Sequence, residues 1–240
     1  ERHPNRITLT KTGKLAAEKA SVLLKANQQF STEIKNYAQS QQVLKIASVA
    51  PGPLIVLDQN LTKLNANIDI DEALLDQNNV EKNLLNRQYS AIITNHEIQT
   101  AQIESRFIGE ENLYVNLDQF MYLANQRQVT FKELAGLSFV VLNDIGPWKT
   151  VIQENIPDAK FLYQTEYDAP SELTKYTSFP FFTTNITQPN SAYDTTDTVA
   201  LPITDSSATM TFYVTYLKSQ RKTIVPLAKK LTRIWSRKWY

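Results

Sequence analysis

The sequence has no cysteine at all. Disulfides, thiolate metal sites and cysteine nucleophiles are therefore excluded, and a reducing compartment is permitted. No basic start is followed by an apolar run of the kind found in a signal peptide, and no apolar run is long enough to span a membrane. We therefore expect a cytoplasmic protein without a membrane partner.

Motifs for catalysis or metal binding are also missing. Only two histidines are present, His3 and His96, and neither stands in a spacing such as H-E-x-x-H. There is no G-x-S-x-G elbow, no G-x-x-x-x-G-K-[ST] loop and no G-x-G-x-x-G turn, so acyl transfer, nucleotide hydrolysis and dinucleotide binding lack support. Carboxylates are numerous, but no motif pairs them. We expect a binding protein rather than an enzyme, with no cofactor and no metal.

The net charge of +1 conceals an asymmetry along the chain. Residues 1–45 carry 8 basic and 3 acidic side chains, residues 46–220 carry 10 and 21, and residues 221–240 carry 7 and none. The basic start suits proximity to DNA, whereas the acidic body argues against wrapping nucleic acid. The basic end is also typical of the solvated face of a closing amphipathic helix.

Residues 11–42 contain no proline and a single glycine, Gly13, which predicts a long helix. Its apolar residues recur at heptad spacing and form what we call the dimer seam: Ala16, Leu23, Phe30 and Tyr37. At about 1.5 Å per residue the helix would reach roughly 45 Å. This length suits a dimer strut, although a helix lying on its own globular domain would give the same pattern.

From Leu44 onward, short apolar runs alternate with helical stretches, which is typical of a mostly parallel sheet covered by helices. The predicted strands are Leu44–Val49, Ala66–Ile70, Ser90–Thr94, Ser138–Leu142, Phe161–Gln164, Phe181–Thr184 and Val199–Ile203. The predicted helices are Pro53–Leu64, Asn79–Arg87, Thr130–Leu134, Trp148–Asn155, Ala169–Tyr176 and Ile224–Trp239. A turn is predicted at Gly109, between Glu104–Ile108 and Leu113–Leu117.

Ligands of open α/β sheets lie outside the carboxyl ends of the strands. The residues predicted there are mostly small and neutral: Ser48, Ala50, Gly52, Thr94, Asn95, Asn143, Asp144, Gly146, Thr184 and Asn185. Each taken singly also suits local turn or capping chemistry. Two predicted helices begin at Gly52-Pro53 and Gly146-Pro147, and their free N–H groups favour an anion. We expect a small polar metabolite carrying a carboxylate, whereas Asp144 favours an amine-bearing or neutral ligand.

Several segments resemble the LysR-type transcriptional regulators. Residues 2–13, Arg-His-Pro-Asn-Arg-Ile-Thr-Leu-Thr-Lys-Thr-Gly, resemble the wing and first linker turn of that family. Leu44-Lys45-Ile46-Ala47-Ser48 looks like the first strand of its effector domain. Residues 88–93 resemble an aromatic-Asp-aliphatic strand, with Ser90 where the family often has Asp. Residues 129–136 are similar to its short helix ahead of a strand.

The resemblance implies an α/β fold in which a long linker helix precedes two lobes of the periplasmic-binding-protein (type 2) kind. Residues 1–42 would hold a wing remnant and the dimerising helix, residues 43–110 plus 204–240 effector lobe I, and residues 111–203 effector lobe II. The family's helix-turn-helix would precede this stretch, and only Arg2, His3 and Arg6 would contact DNA phosphates. The implied protein senses a small-molecule effector as a homodimer or homotetramer. The alternatives are a cytoplasmic or exported solute-binding protein of the same fold and, below it, an enzyme.

Overall fold

The computed structural model describes residues 2–3, 6–7, 9–40, 43–64, 66–164, 179–188 and 197–238. At the start of the chain, β1 (Arg2–His3) pairs antiparallel with β2 (Arg6–Ile7). The predicted helix at 169–176 lies outside the described residues. No helix in the described ranges has both the length and the hydropathy to cross a bilayer.

Helix α1 (Lys11–Ser40) confirms the predicted long helix. It begins after Thr10, whose hydroxyl accepts a hydrogen bond from the Gly13 N–H at 3.0 Å. This bond satisfies one of the N–H groups that every helix start leaves without a partner inside the helix. None of the described side chains of α1 is buried. The alternative that α1 lies flat on its own globular domain therefore does not hold.

The rest of the described chain builds a mixed sheet of nine strands in the order β4-β3-β5-β11-β6-β9-β7-β8, with β10 pairing with β6. The strands are β3 (Leu44–Ser48), β4 (Ile68–Ile70), β5 (Ala91–Thr94), β6 (Ile103–Asp118), β7 (Ser138–Leu142), β8 (Lys160–Gln164), β9 (Phe181–Thr184), β10 (Thr198–Pro202) and β11 (Thr209–Leu217). β3 runs parallel to β4 and β5, and β7 runs parallel to β8 and β9. The α/β class with parallel strands is thereby confirmed.

Strand β6 joins the two halves of this sheet. Its first part pairs antiparallel with β11, and its second part pairs antiparallel with β9 and β10. The turn predicted at Gly109 is wrong, because Gly109 lies inside the strand. A side chain there would collide with the indole of Trp235, so glycine is required by this close approach rather than by a turn.

The helices lie close to the positions predicted from the sequence. They are α2 (Pro51–Asp58), α3 (Leu61–Leu64), α4 (Val80–Leu85), α5 (Trp148–Asn155) and α6 (Arg221–Lys238). The predicted helix Pro53–Leu64 is divided at Asn60, whose side-chain amide donates to the Val56 carbonyl at 2.8 Å. The predicted Thr130–Leu134 helix is a 3-10 turn, Phe131–Leu134, with a Thr130/Glu133 capping box.

Helix α6 closes the first half of the sheet against β6. Its buried face consists of Ile224, Leu227, Ala228, Leu231 and Trp235. The Trp235 indole N–H donates to the Glu110 carbonyl at 2.7 Å, which satisfies the polar atom of this buried ring. The basic side chains of the chain end thus belong to a helix whose opposite face is packed in the core, as the composition allowed.

Candidate ligand-binding site

The carboxyl ends of β3, β7 and β9 meet beside the middle of β6. Gly146, with φ of 57°, passes so close to the end of β3 that a Cβ there would lie 2.5 Å from the Val49 carbonyl oxygen and 3.2 Å from the Ala50 Cα. This conformation and this approach both require glycine. The loop before α5 therefore lies directly against the loop before α2, as expected for Ala50 and Gly146.

A carboxylate of the protein itself fills the space between these elements. Glu111 of β6 is 1% exposed. Its Oε2 accepts a hydrogen bond from the Trp148 indole N–H at 3.2 Å, and its Oε1 accepts one from the Thr184 hydroxyl at 2.6 Å. A Cβ at Gly52 would lie 2.5 Å from Oε1, so the first turn of α2 packs directly on the carboxylate. Of the predicted residues, Ala50, Gly52, Gly146 and Thr184 are brought together here.

The environment of Glu111 favours its protonated form. Burial raises the pKa of Glu111 to about 7, and the hydrogen bonds from Thr184 and Trp148 oppose this rise. No ion pair within the described residues involves this carboxylate, so burial is not compensated by a positive charge. The carboxyl group therefore changes protonation near neutral pH.

Next to this junction lies an open cavity of about 480 Å³. Residues 51–59, 70–74 and 142–144 contribute to its wall. The polar lining residues are Asp58, Gln59, Glu72, Asn143 and Asp144, and the other lining residues are apolar. The predicted site residues Asn143 and Asp144 thus face a cavity of the size that small-molecule sites have.

The remaining predicted residues, Ser48, Thr94, Asn95 and Asn185, do not line this cavity, and the structure engages them in hydrogen bonds within the protein. The Ser48 hydroxyl donates to the Ala50 carbonyl at 2.8 Å, and the Thr94 hydroxyl lies 2.8 Å from that of Thr215. The Asn95 amide oxygen accepts from Gln77 at 2.9 Å, and that of Asn185 accepts from the Asn112 N–H at 2.9 Å. The Ser48 bond is a local turn contact, whereas the other three join segments that are separate along the chain. Their binding to a ligand stays a prediction.

Sequence reasoning missed Glu111, although a signal was present. Glu111 shares a period-two alternation with Leu113, Val115 and Leu117, all of which are buried. A carboxylate in the apolar phase of a strand must be buried with its hydrogen bonds satisfied. The turn predicted at Gly109 concealed this alternation.

The dimer seam lies open on α1. Leu23 is 70% exposed, Phe30 64% and Tyr37 48%, and Ala16 is exposed as well. The guanidinium of Arg87 lies 5.0 Å from the centre of the Tyr37 ring. The side chains of Arg2, His3 and Arg6 lie outside the described part, so their contact with phosphates stays a prediction.

Solved structures share this architecture. The reduced form of the OxyR regulatory domain from Pseudomonas aeruginosa superposes with a TM-score of 0.63 at 15% identity, covering 80% of this chain and 98% of that chain. The effector-binding domain of a BenM variant gives 0.58 at 14% identity, covering 82% and 95%. The chain has the fold of LysR-type effector domains. Full-length BenM gives 0.61 at 15% identity over 96% of this chain and 79% of its own. No protein-family model and no curated protein sequence matches.

Proposed function

We propose that this chain is the ligand-sensing and dimerising part of a LysR-type transcriptional regulator. The observation that carries the proposal is the fold: long helix and curved sheet together follow full-length BenM over 96% of this chain. The sequence resemblance of residues 2–13 to the wing and linker of that family supports the same proposal independently of the fold. Base recognition would belong to a helix-turn-helix in the complete regulator, with Arg2, His3 and Arg6 on DNA phosphates.

The effector would bind in the 480 Å³ cavity and change the relation of the two halves of the sheet. α2 belongs to the half built on β3, whereas Asn143 and Asp144 follow β7 in the other half. We assign these halves to the proposed lobes, 43–110 plus 204–240 and 111–203. A ligand that contacts both walls favours one arrangement of the lobes over others by its differential affinity.

The regulator would assemble through the dimer seam of α1. Exposed leucine and phenylalanine side chains at heptad spacing match a second copy of the same helix, because each can insert between residues of the facing helix. A pair of α1 helices would hold two sensing domains in one dimer. Ligand binding could then change the spacing of the two DNA-binding domains.

A thermal-shift screen tests the sensing function. A compound that binds the folded chain at about 100 times its Kd adds roughly 2.7 kcal/mol, which corresponds to a rise in Tm of about 5–10 °C for a chain of this size. Leu54→Trp should fill the cavity and abolish the shift, whereas Leu162→Trp, on an exposed position of β8, should preserve it. The proposal fails if no compound raises Tm, or if Leu54→Trp leaves every shift unchanged.

A further inference from the structure

We propose that the cavity between α2 and the loop after β7 selects an organic cation, an amine or amidine carried on an apolar body. This inference rests on the proposed sensing function and names the ligand class for it. The charges of the cavity wall and the occupancy of the neighbouring junction carry it as two independent observations.

The position that would favour an anion is already filled. The first turn of α2 is the place where a helix start could stabilise a negative group, and it offers the N–H of Gly52, because Pro51 and Pro53 have none. Glu111 lies there, with its Oε1 2.5 Å from where a Cβ of Gly52 would be. The two donors at this junction, Trp148 and Thr184, also bond to Glu111. An anionic ligand would have to displace a buried side chain to reach these groups.

The cavity that stays open has the opposite preference. Asp58, Glu72 and Asp144 all contribute to its wall, and no lining residue in the described ranges is Lys, Arg or His. Neither ion pair recorded within those ranges involves any of the three. A carboxylate ligand would meet three like charges without a neutralising partner, whereas a cation would meet three opposite charges.

The other wall residues define the body of the ligand. Leu54, Ile55 and Leu74 are half-buried lining residues, and Leu142 extends the same apolar surface. A volume of about 480 Å³ accommodates a small organic molecule but is much larger than a metal ion needs. No cluster of metal-ligating residues occurs in the part of the chain that the structure describes.

The same geometry links the ligand's charge to lobe closure. Asp58 and Glu72 lie on the β3 side, and Asp144 lies on the β7 side. All three carboxylates are exposed, so solvent screens their mutual repulsion, and a cation between the two sides would be attracted by both. A neutral molecule of the same shape would fill the space without this effect.

Three compounds with one skeleton test the proposal: 2-phenylethylamine, 2-phenylethanol and phenylacetate. We expect the amine to produce saturable NMR shifts of the Leu54, Ile55 and Leu74 amides, and the alcohol and the acid to bind at least tenfold more weakly. Asp144→Asn and Glu72→Gln should each weaken amine binding about two- to fivefold, the range for exposed charge pairs. Glu81→Gln, an exposed carboxylate on α4, is the matched control and should change nothing. Added salt should weaken the amine selectively.

The possible failures are distinguishable. Phenylacetate binding in the cavity as tightly as the amine would overturn the cation assignment and leave the sensing function intact. Absence of amine shifts at tens of millimolar, or amine affinity unchanged in Asp144→Asn and Glu72→Gln, would also overturn it. Failure of the sensing function itself requires that no compound of any charge in the thermal-shift screen binds this cavity.

Discussion

The longest described strand, β6, and the longest described helix, α1, differ in how much of their surface the rest of the chain covers. β6 spans both halves of the sheet, and the chain's own side chains cover it, with Trp235 on Gly109 and Glu111 closed in by Trp148 and Thr184. α1 has nearly twice as many residues and buries none of its described side chains. The side chains of β6 are thus packed within the chain, whereas those of α1 are exposed to solvent.

The few contacts of α1 with the rest of the chain involve its C-terminal part. The Asn36 amide donates to the Asn86 carbonyl at 3.1 Å, and Arg87 lies over the Tyr37 ring. Leu15, Val22 and Leu24 are exposed together with the seam residues. Exposed apolar area of this extent supports the proposed contact of α1 with a second copy of the chain.

The largest change in the free energy of unfolding is expected for a glycine substitution in β6, compared with one in α1. Gly109→Ala places a methyl group in the Trp235 ring, and overpacking of this kind destabilises by about 3 kcal/mol. Gly13→Ala in the first turn of α1 should change the free energy of unfolding by less than about 1 kcal/mol. Urea denaturation of both variants measures the difference. Equal effects at the two positions would show that β6 is not the better-packed element.

A smaller, pH-dependent effect is expected at Glu111. Its folded-state pKa, about 7, exceeds the ordinary value of 4.5. The folded state therefore binds the proton more tightly, and the resulting stability is fully present below pH 4.5 and is lost as pH rises through about 7. Glu111→Gln should remove this dependence and be more stable than the parent at pH 8 by on the order of 2 kcal/mol.

Unfolding curves from pH 4 to pH 8 measure this, and Glu81→Gln on the surface of α4 serves as the control. A parent protein whose stability is flat across this interval, or rises with pH more steeply than that of Glu111→Gln, would contradict the buried position of the carboxylate.

The smallest change in unfolding is expected on α1, where the effect should appear in assembly instead. Leu23→Glu combined with Phe30→Glu removes apolar side chains that contact little within the chain, so unfolding of the monomer should change by less than about 0.5 kcal/mol. Sedimentation equilibrium should show weaker self-association than for the parent. Lys25→Glu, on the opposite face of the helix, is the control. Unchanged association of the double variant would place the dimer contact elsewhere.

Elements set by local periodicity could be predicted closely. Ser138–Leu142, Phe181–Thr184 and Trp148–Asn155 end where the sequence indicated. β11 was missed, and β6 was divided in two, because their formation depends on pairing across about 100 residues of chain rather than on a local signal. The run Gly109-Glu110-Glu111-Asn112 has the composition of a turn, and tertiary packing overrides it.

The site was predictable in outline but not in its central chemistry. Strand-end geometry located Ala50, Gly52, Gly146 and Thr184 at one place, since parallel strands bring their carboxyl ends together. The same rule could not tell which polar side chains would form hydrogen bonds within the protein instead of facing a ligand, as those of Ser48 and Thr94 do. It also could not supply Glu111, which reaches the site from a strand belonging to both halves.

The pairing of β6 with β11 limits which chimeras of this chain with a related protein would keep the Glu111 junction. Phe212 is opposite Gly109 and Tyr213 is opposite Phe107, so Ile108 is an extra residue in the ladder. Because side chains alternate along a strand, the number of residues through this position decides which face Glu111 occupies, and with Ile108 present its carboxylate contacts Thr184. Loss of Ile108 would aim the carboxylate at the opposite face. A chimera that exchanges one half of the sheet with a related protein would therefore preserve the junction only if both parents keep the same residue count through this position.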